Sequence, residues 1–405
     1  MSDVVTEKSR RRFLRGSALA AVASLLPAAA LAQNETIRVG ALVPLTGAGG
    51  AYGPPMAKAA KAVVDDVNAV GGISGRKLEL IVEDDQTSPE AGVRAARKLI
   101  DVDRVVAIMG TWASAVTTAV APLCWESRTF LTTTSGADSI TLLPHQGYLI
   151  RTQPNTALQG HKFGDYAVER GAKRIFFVSP QTPFARSQFD AITAVAQKAG
   201  SETASLIYDD KKPSYRSEVD EVLRFKPDTI IFGGYTPDTS IMLKDVYRAG
   251  FAGLKIAFGY SVNQKLIDSV PAEIVESVVT ISPSPAEGSD AYARVAKIAG
   301  VANPDPYTAQ IYDQVNLVIL ALAASGSTEA SGTAIRDNVR KVSQSQDGTK
   351  VSNAPDGLRL LADGRMVDYD GASGPCEFTD IGDILDCKFR YDEVKAGKLV
   401  LLKIA

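Results

Sequence analysis

Histidine and cysteine are scarce in this chain: 405 residues include two histidines and three cysteines. That shortage removes most metal and nucleophile chemistry at the outset. Neither His145 nor His161 stands at ligand spacing from a cysteine, so no metal is expected. No G-x-S-x-G elbow occurs, and neither histidine has an obvious serine or cysteine partner, which argues against a hydrolase triad. Excess positive charge is missing too, with 44 basic residues against 46 acidic. Nucleic-acid binding needs a concentrated Lys and Arg face, so no nucleic-acid partner is expected. Past the N-terminal segment, no apolar run is long enough to span a bilayer, and no low-complexity linker divides the chain.

What is present begins with Ser9-Arg10-Arg11-Arg12-Phe13-Leu14-Arg15, a mildly apolar run over 16–31, and Ala30-Leu31-Ala32. This is the order of a cleaved secretory signal. The twin arginines before Phe-Leu resemble the Tat export signal, which is read by a receptor and does not anchor. Ser24 and Pro27 interrupt the run, against an uncleaved membrane helix. Residues 1–32 therefore read as a Tat-type signal peptide cleaved near Ala32, and the mature chain is expected in the periplasm. Its removal leaves 39 basic against 44 acidic residues in about 373. A chain of that length exceeds what one core usually serves, so two lobes are expected.

Export permits disulfides. Cys376 and Cys387 flank two short strands around a turn at 380–383, and a bridge between them is the expectation, although sequence alone leaves other pairings open. Cys124, inside the apolar run Val120-Ala-Pro-Leu-Cys-Trp125, reads as a buried free thiol.

Short runs rich in Val and Ile recur at 37–43, 78–82, 105–109, 130–133, 175–179, 204–208, 229–232, 255–258 and 274–281. Amphipathic stretches such as 56–70, 89–101, 114–127, 160–170, 184–198 and 238–249 lie between them. The alternation predicts an α/β fold with parallel sheet flanked by helices. The series is too long for one sheet. A boundary falls near Arg151-Thr-Gln-Pro-Asn155 and a return near Ser282-Pro-Ser-Pro-Ala-Glu287. Lobe 1 is thus assigned 35–153 plus about 285–345, and lobe 2 takes 154–284 plus about 346–405 with a C-terminal hairpin.

Ligands of open α/β sheets gather outside the carboxyl ends of strands. There the chain carries Pro44-Leu-Thr-Gly-Ala-Gly-Gly-Ala-Tyr-Gly53, Gly110-Thr-Trp112-Ala-Ser114 and Thr132-Thr-Thr134-Ser135-Gly136. Small hydroxyl residues and free N–H groups at helix starts suit a carboxylate, although Ser114 could merely cap its helix. Gly47 to Tyr52 is expected to touch the ligand. Later strand ends offer Pro180-Gln-Thr-Pro-Phe184, Gly233-Gly-Tyr235 and Gly259-Tyr260-Ser261, with Tyr307 at a helix start. Rings with one polar edge make apt walls for a small ligand.

Thr46-Gly47 to Tyr52-Gly53, Asn68-Ala-Val-Gly71-Gly72-Ile73-Ser-Gly75, Glu83-Asp84-Asp85, Gly110 to Ser114, Phe232-Gly-Gly-Tyr235 and Gly371-Ala-Ser-Gly-Pro375 to Phe378 together resemble the branched-chain amino-acid-type solute-binding proteins of ABC transporters. The likeness runs from about Glu35 to Val400. It implies a type I periplasmic binding fold: two Rossmann-like lobes joined by a three-strand hinge that closes on a small molecule, with an inner-membrane ABC permease as partner and no cofactor. It further implies a monomer. The family's ligand contacts map onto Tyr52, Ser114 and Thr134 to Gly136 in the first lobe, and onto Phe184, Tyr235 and Tyr307 in the second; Trp112 lies beside Ser114. The acid that receives an amino-acid ligand's ammonium should follow the strand at 255–258, where this sequence has Tyr260-Ser261. Asp238 could supply the charge instead. The expected ligand is a small carboxylate, an aromatic or branched acid, with a branched-chain amino acid as the other candidate.

Two rivals follow from the same residues. The glycine-rich loop with Asp84 and Asp85 also resembles a dinucleotide-binding loop, which would make the chain an exported NAD(P)-dependent oxidoreductase. Its spacing departs from G-x-G-x-x-G, and the Tyr208 to Lys212 and Tyr391 to Lys395 pairs are expected on loops rather than a catalytic helix. A ligand sensor coupled to a receptor would use the same fold and site.

Overall fold

In the computed structural model the residues described are 36–405. The signal peptide read in residues 1–32 lies outside them. Strand β1 (Ile37–Val43) opens a parallel sheet with β2 (Leu78–Asp84), β3 (Ala107–Gly110), β4 (Phe130–Thr133) and β5 (Leu149–Arg151), in the order β2-β1-β3-β4-β5. Every residue of β3 and β4 is buried, which explains apolar runs without alternation. The second sheet holds parallel strands β6 (Arg174–Pro180), β7 (Glu202–Tyr208), β8 (Thr229–Phe232), β9 (Leu254–Phe258) and β10 (Val278–Pro283). Strands β11 (Thr349–Val351) and β12 (Val367–Tyr369) pair apart from it. Antiparallel β13 (Phe389–Lys395) and β14 (Lys398–Ile404) then complete the order β14-β13-β10-β9-β8-β6-β7.

In both sheets the order reverses around the first strand, between β1 and β3 and between β6 and β8. At such a point the adjoining connections part to opposite faces and leave a crevice at the carboxyl ends. The helix Pro306–Ala324 is buried throughout from Tyr307 to Leu322, so it lies in the interior, with its polar Gln310, Asp313, Gln314 and Asn316 buried and hydrogen-bonded. Its Gln314 fastens the first sheet: Oε1 accepts from the Gly110 N–H at 2.9 Å and the Thr132 hydroxyl at 3.0 Å, while Nε2 donates to Thr152 Oγ1 at 2.9 Å.

Some expectations need correction. Val351, Ala354, Val367, Tyr369, Cys376 and Phe378 belong to the core of the first sheet, so 346–384 packs there and not with lobe 2. The helix Pro306–Ala324 provides the apolar surface that recruits them. The expected strand at 274–281 begins only at Val278, after a helical turn over Ala272–Val275. Tyr391 to Lys395 lies on β13, not a loop.

The expected Cys376–Cys387 bridge is absent: all three thiols are free. Antiparallel bridging does occur there, but Phe378 pairs with Ile384, which sets Cys376 opposite Asp386. A one-residue slip sends Cys387 to the other face. Cys376 packs into the first core and Cys387 against the second sheet's aromatic core. Burial pushes the thiols of Cys124 and Cys387 up to about 12.

Candidate functional site

The crevices at the two switch points face one shared cavity lined from both sheets. After β3 come Trp112, Ala113 and Ser114; after β4, Thr134 and Gly136; after β5, Gln153. From the second sheet come Pro180 at the end of β6 with Thr182 and Phe184 after it, Gly233 and Tyr235 after β8, and Tyr260 after β9. Tyr307 joins them from the first turn of its buried helix, and since that helix packs in the first sheet's core, Tyr307 belongs to the first lobe and not, as expected, to the second.

The first sheet's side is rich in donors. Ala113 is the N-cap of the helix Ser114–Glu126 and offers no side-chain cap, so Ser114 is not the cap the sequence allowed for. The Ser114 oxygen accepts from the Ala137 N–H at 3.2 Å, which leaves its proton to be donated. Thr134 Oγ1 is buried without a hydrogen-bond partner. Gln153 Oε1 accepts from Gln310 Nε2 at 2.6 Å, leaving the carboxamide nitrogen as its available end. The helix N-terminus adds unpaired N–H groups and the positive end of its dipole.

Aromatic rings make the remaining walls. Trp112 lies at their centre, with ring centroids 5.5 Å from Tyr235, 5.6 Å from Tyr260 and 5.6 Å from Tyr307. Phe184 meets Phe258 edge-on at 5.2 Å, and Phe258 stacks on Tyr260 at 5.2 Å. Burial raises the phenols of Tyr235, Tyr260 and Tyr307 well above their ordinary value, so they remain O–H donors. Tyr260 donates to Gly233 O at 3.2 Å, which fixes its ring. A Cβ on Gly136 would lie 2.9 Å from the Phe184 ring, so only glycine lets that ring approach from the other sheet.

The structure brings together eight of the eleven residues singled out by sequence: Trp112, Ser114, Thr134, Gly136, Phe184, Tyr235, Tyr260 and Tyr307. Tyr52, Ser135 and Ser261 stand behind them. Tyr52 stacks on Trp112 at 5.4 Å and meets Tyr307 edge-on at 5.2 Å; it backs the cavity wall instead of lining it. Its loop does likewise, since a Cβ on Gly49 would fall 2.7 Å from the indole. Ser135 turns its hydroxyl to Thr111 O at 2.7 Å and Trp112 O at 3.0 Å, and Ser261 donates to Gly234 O. Gln153 and Thr182 were missed as site residues. Gln153 follows a strand end and could have been found there, but the segment 151–155 reads as a boundary.

Asp238 does not reach the cavity. It accepts from Tyr215 Oη at 2.8 Å and Lys211 N at 3.1 Å within the second body. The glycine loop also has its own partners: Asp84 Oδ1 accepts from Thr46 N at 3.1 Å and Oδ2 from Thr46 Oγ1 at 2.5 Å. That pairing draws Asp84 onto the loop itself, where a dinucleotide reading would need it for a ribose.

A family profile described as periplasmic binding protein matches residues 36–370. The Leu/Ile/Val-binding protein BraC3 of Rhizobium johnstonii is 25% identical over 374 residues, covering 91% of this chain and 94% of its own. The leucine-binding protein LivK of Thermotoga maritima superposes with a TM-score of 0.78 at 19% identity, over 91% of this chain and 98% of that one. A solute-binding protein of an ABC transporter from R. palustris, solved with benzoate, gives 0.75 at 18% identity, over 91% and 96%. Among the described residues no helix is long and apolar enough to cross a membrane. The matched profile over most of the length, the paired parallel sheets and the cavity between them lead to one assignment: this chain belongs to the periplasmic binding protein family, with the type I fold.

Proposed function

We propose that the protein closes on a small aromatic carboxylic acid lacking an α-amino group and delivers it to an ABC permease. The observation that carries this is the cavity lining, which among the described residues contains no Asp, Glu, Lys, Arg or His. An amino acid would leave its ammonium without an anion in a desolvated site, at a cost of several kcal/mol. A carboxylate alone is served by neutral donors: the Ser114 hydroxyl, the first-turn N–H groups, Thr134 Oγ1 and the Gln153 amide. The helix dipole adds about 0.3–1 kcal/mol, and up to ~2 in a partly buried geometry. The remainder of the ligand meets Trp112, Phe184, Tyr235, Tyr260 and Tyr307, whose faces and edges suit a flat ring. The solved neighbours include one holding benzoate and one named as leucine-binding, so the choice between them rests on the lining.

In this role the open form admits solute, and contacts from both lobes stabilise the closed form, a shift of population with no chemical step. Tat export, residence in the periplasm and action as a monomer belong to the same proposal. Titration calorimetry with benzoate on Ser114→Ala tests it. Loss of a charge-assisted hydrogen bond should weaken binding roughly 10- to 100-fold; unchanged affinity would contradict Ser114 as the anchor.

A further inference from the structure

We infer that Arg151 is a positioning residue that couples the anion-binding end of the cavity to the hinge. The inference rests on Ser114 anchoring the ligand's carboxylate, and not on which carboxylic acid is bound. Arg151 ends β5 at the point where the chain leaves the first sheet for the second. It heads the fully buried side chains of the described residues by size. A guanidinium keeps its charge at any ordinary pH, so burying one requires its donors to be matched.

The fork reaches two segments, Asp383 on one side and the two ends of the helical turn Asp138–Ile140 on the other. Nε donates to Asp383 Oδ1 at 2.6 Å, Nη1 to the Ala137 carbonyl at 2.7 Å and Nη2 to Thr141 Oγ1 at 3.1 Å. Asp383 sits on the segment that returns the chain to β13, and Gly382 O accepts from the Arg151 backbone N–H at 2.9 Å. The other Asp383 oxygen accepts from Asn155 Nδ2 at 3.3 Å. Asn155 caps the first helix of the second body, its Oδ1 accepting from Leu158 N at 2.9 Å. Arg151 and Asp383 thus tie together two of the passages between the sheets.

The opposite end of this network is the anchor itself. Ala137 receives Arg151 on its carbonyl and donates its N–H to Ser114 Oγ at 3.2 Å. One residue therefore joins the hydroxyl that faces the cavity to the pair that holds the hinge. If hinge geometry sets where the Ser114 oxygen stands, a ligand on Ser114 favours that geometry, and by linkage the hinge pair raises ligand affinity by the same factor. A merely structural ion pair would stabilise the fold and leave affinity alone.

A double-mutant cycle separates these cases. Asp383→Asn keeps an oxygen for Nε and removes the charge; it is combined with Ser114→Ala. Binding is measured by calorimetry with benzoate and with L-leucine as probes, alongside ligand-free melting. The coupled arrangement gives a loss of roughly 10-fold for Asp383→Asn and at least that for Ser114→Ala, with the double variant within about twofold of Ser114→Ala alone. Thr141→Val removes a single arm of the fork and serves where the Asn variant folds poorly; its smaller loss should likewise vanish in the Ser114→Ala background. Additive losses overturn the coupling, as does a lowered ligand-free melting temperature with unchanged affinity. Wild-type affinity in Ser114→Ala for a probe that binds the parent is the distinct result that removes the anchor and the coupling with it.

Discussion

Asn263 Nδ2 donates to the Tyr52 hydroxyl at 3.0 Å, joining the first sheet's glycine loop to the loop after β9 in the second. The same hydroxyl donates to the Tyr260 carbonyl at 3.2 Å, which also accepts from Thr236 Oγ1 at 2.7 Å. Tyr52 therefore links the two walls and stays out of the cavity. Tyr52→Phe keeps the ring against Trp112 and removes both links. Stopped-flow measurement should show dissociation faster by roughly 3- to 10-fold, with the order of preference among ligands unchanged. A changed order of preference would place Tyr52 on the ligand after all.

Trp112 is one of two tryptophans, the other being Trp125. Since Trp112 touches rings from both sheets, its emission should change on ligand binding in a Trp125→Phe protein. In Trp112→Phe the remaining signal should not respond. A full response there would mean that the cavity is not where ligand binds.

Asp85 directly follows β2 as a buried carboxylate whose Oδ2 has no partner. Burial, opposed by the Thr87 N–H and reinforced by Asp84, raises it to about 7. A raised acid pKa means that the folded state holds the proton more tightly, so stability is fully present below about 4 and is lost as pH rises through about 7. Asp85→Asn keeps the Thr87 bond and removes the charge. At pH 8 it should be more stable than the parent by about 1–4 kcal/mol, and at pH 4 nearly equal. Urea titrations with parallel pH profiles would rule this out.

The cysteines give a chemical check. Thiol titration of the mature protein in denaturant without reductant should count three, and reductant should leave the melting temperature unchanged. A count of one would restore the Cys376–Cys387 bridge.

Much of the fold could be read from the chain because runs such as 130–133 and 229–232 are buried on both faces and bounded by loops, and both became strands as expected. The hairpin pairing could not be read, since register depends on which core each face meets, and Cys376 and Cys387 meet different ones. The segment 346–384 went astray for a related reason: its short strands carry no mark of the helix Pro306–Ala324 on which they pack. At the cavity, strand-end position was informative for Trp112, Tyr235 and Tyr260. It could not say that Tyr52 would face Asn263 or that Ser261 would bond to Gly234, because those partners come from distant loops.

The uncharged lining is tested most directly by titrating the mature wild-type protein with benzoate and with L-leucine in parallel calorimetry. A cavity with donors for a carboxylate and no anion for an ammonium binds benzoate at least 100-fold more tightly, ~3 kcal/mol of preference. Tight binding of leucine with no measurable heat from benzoate would contradict it.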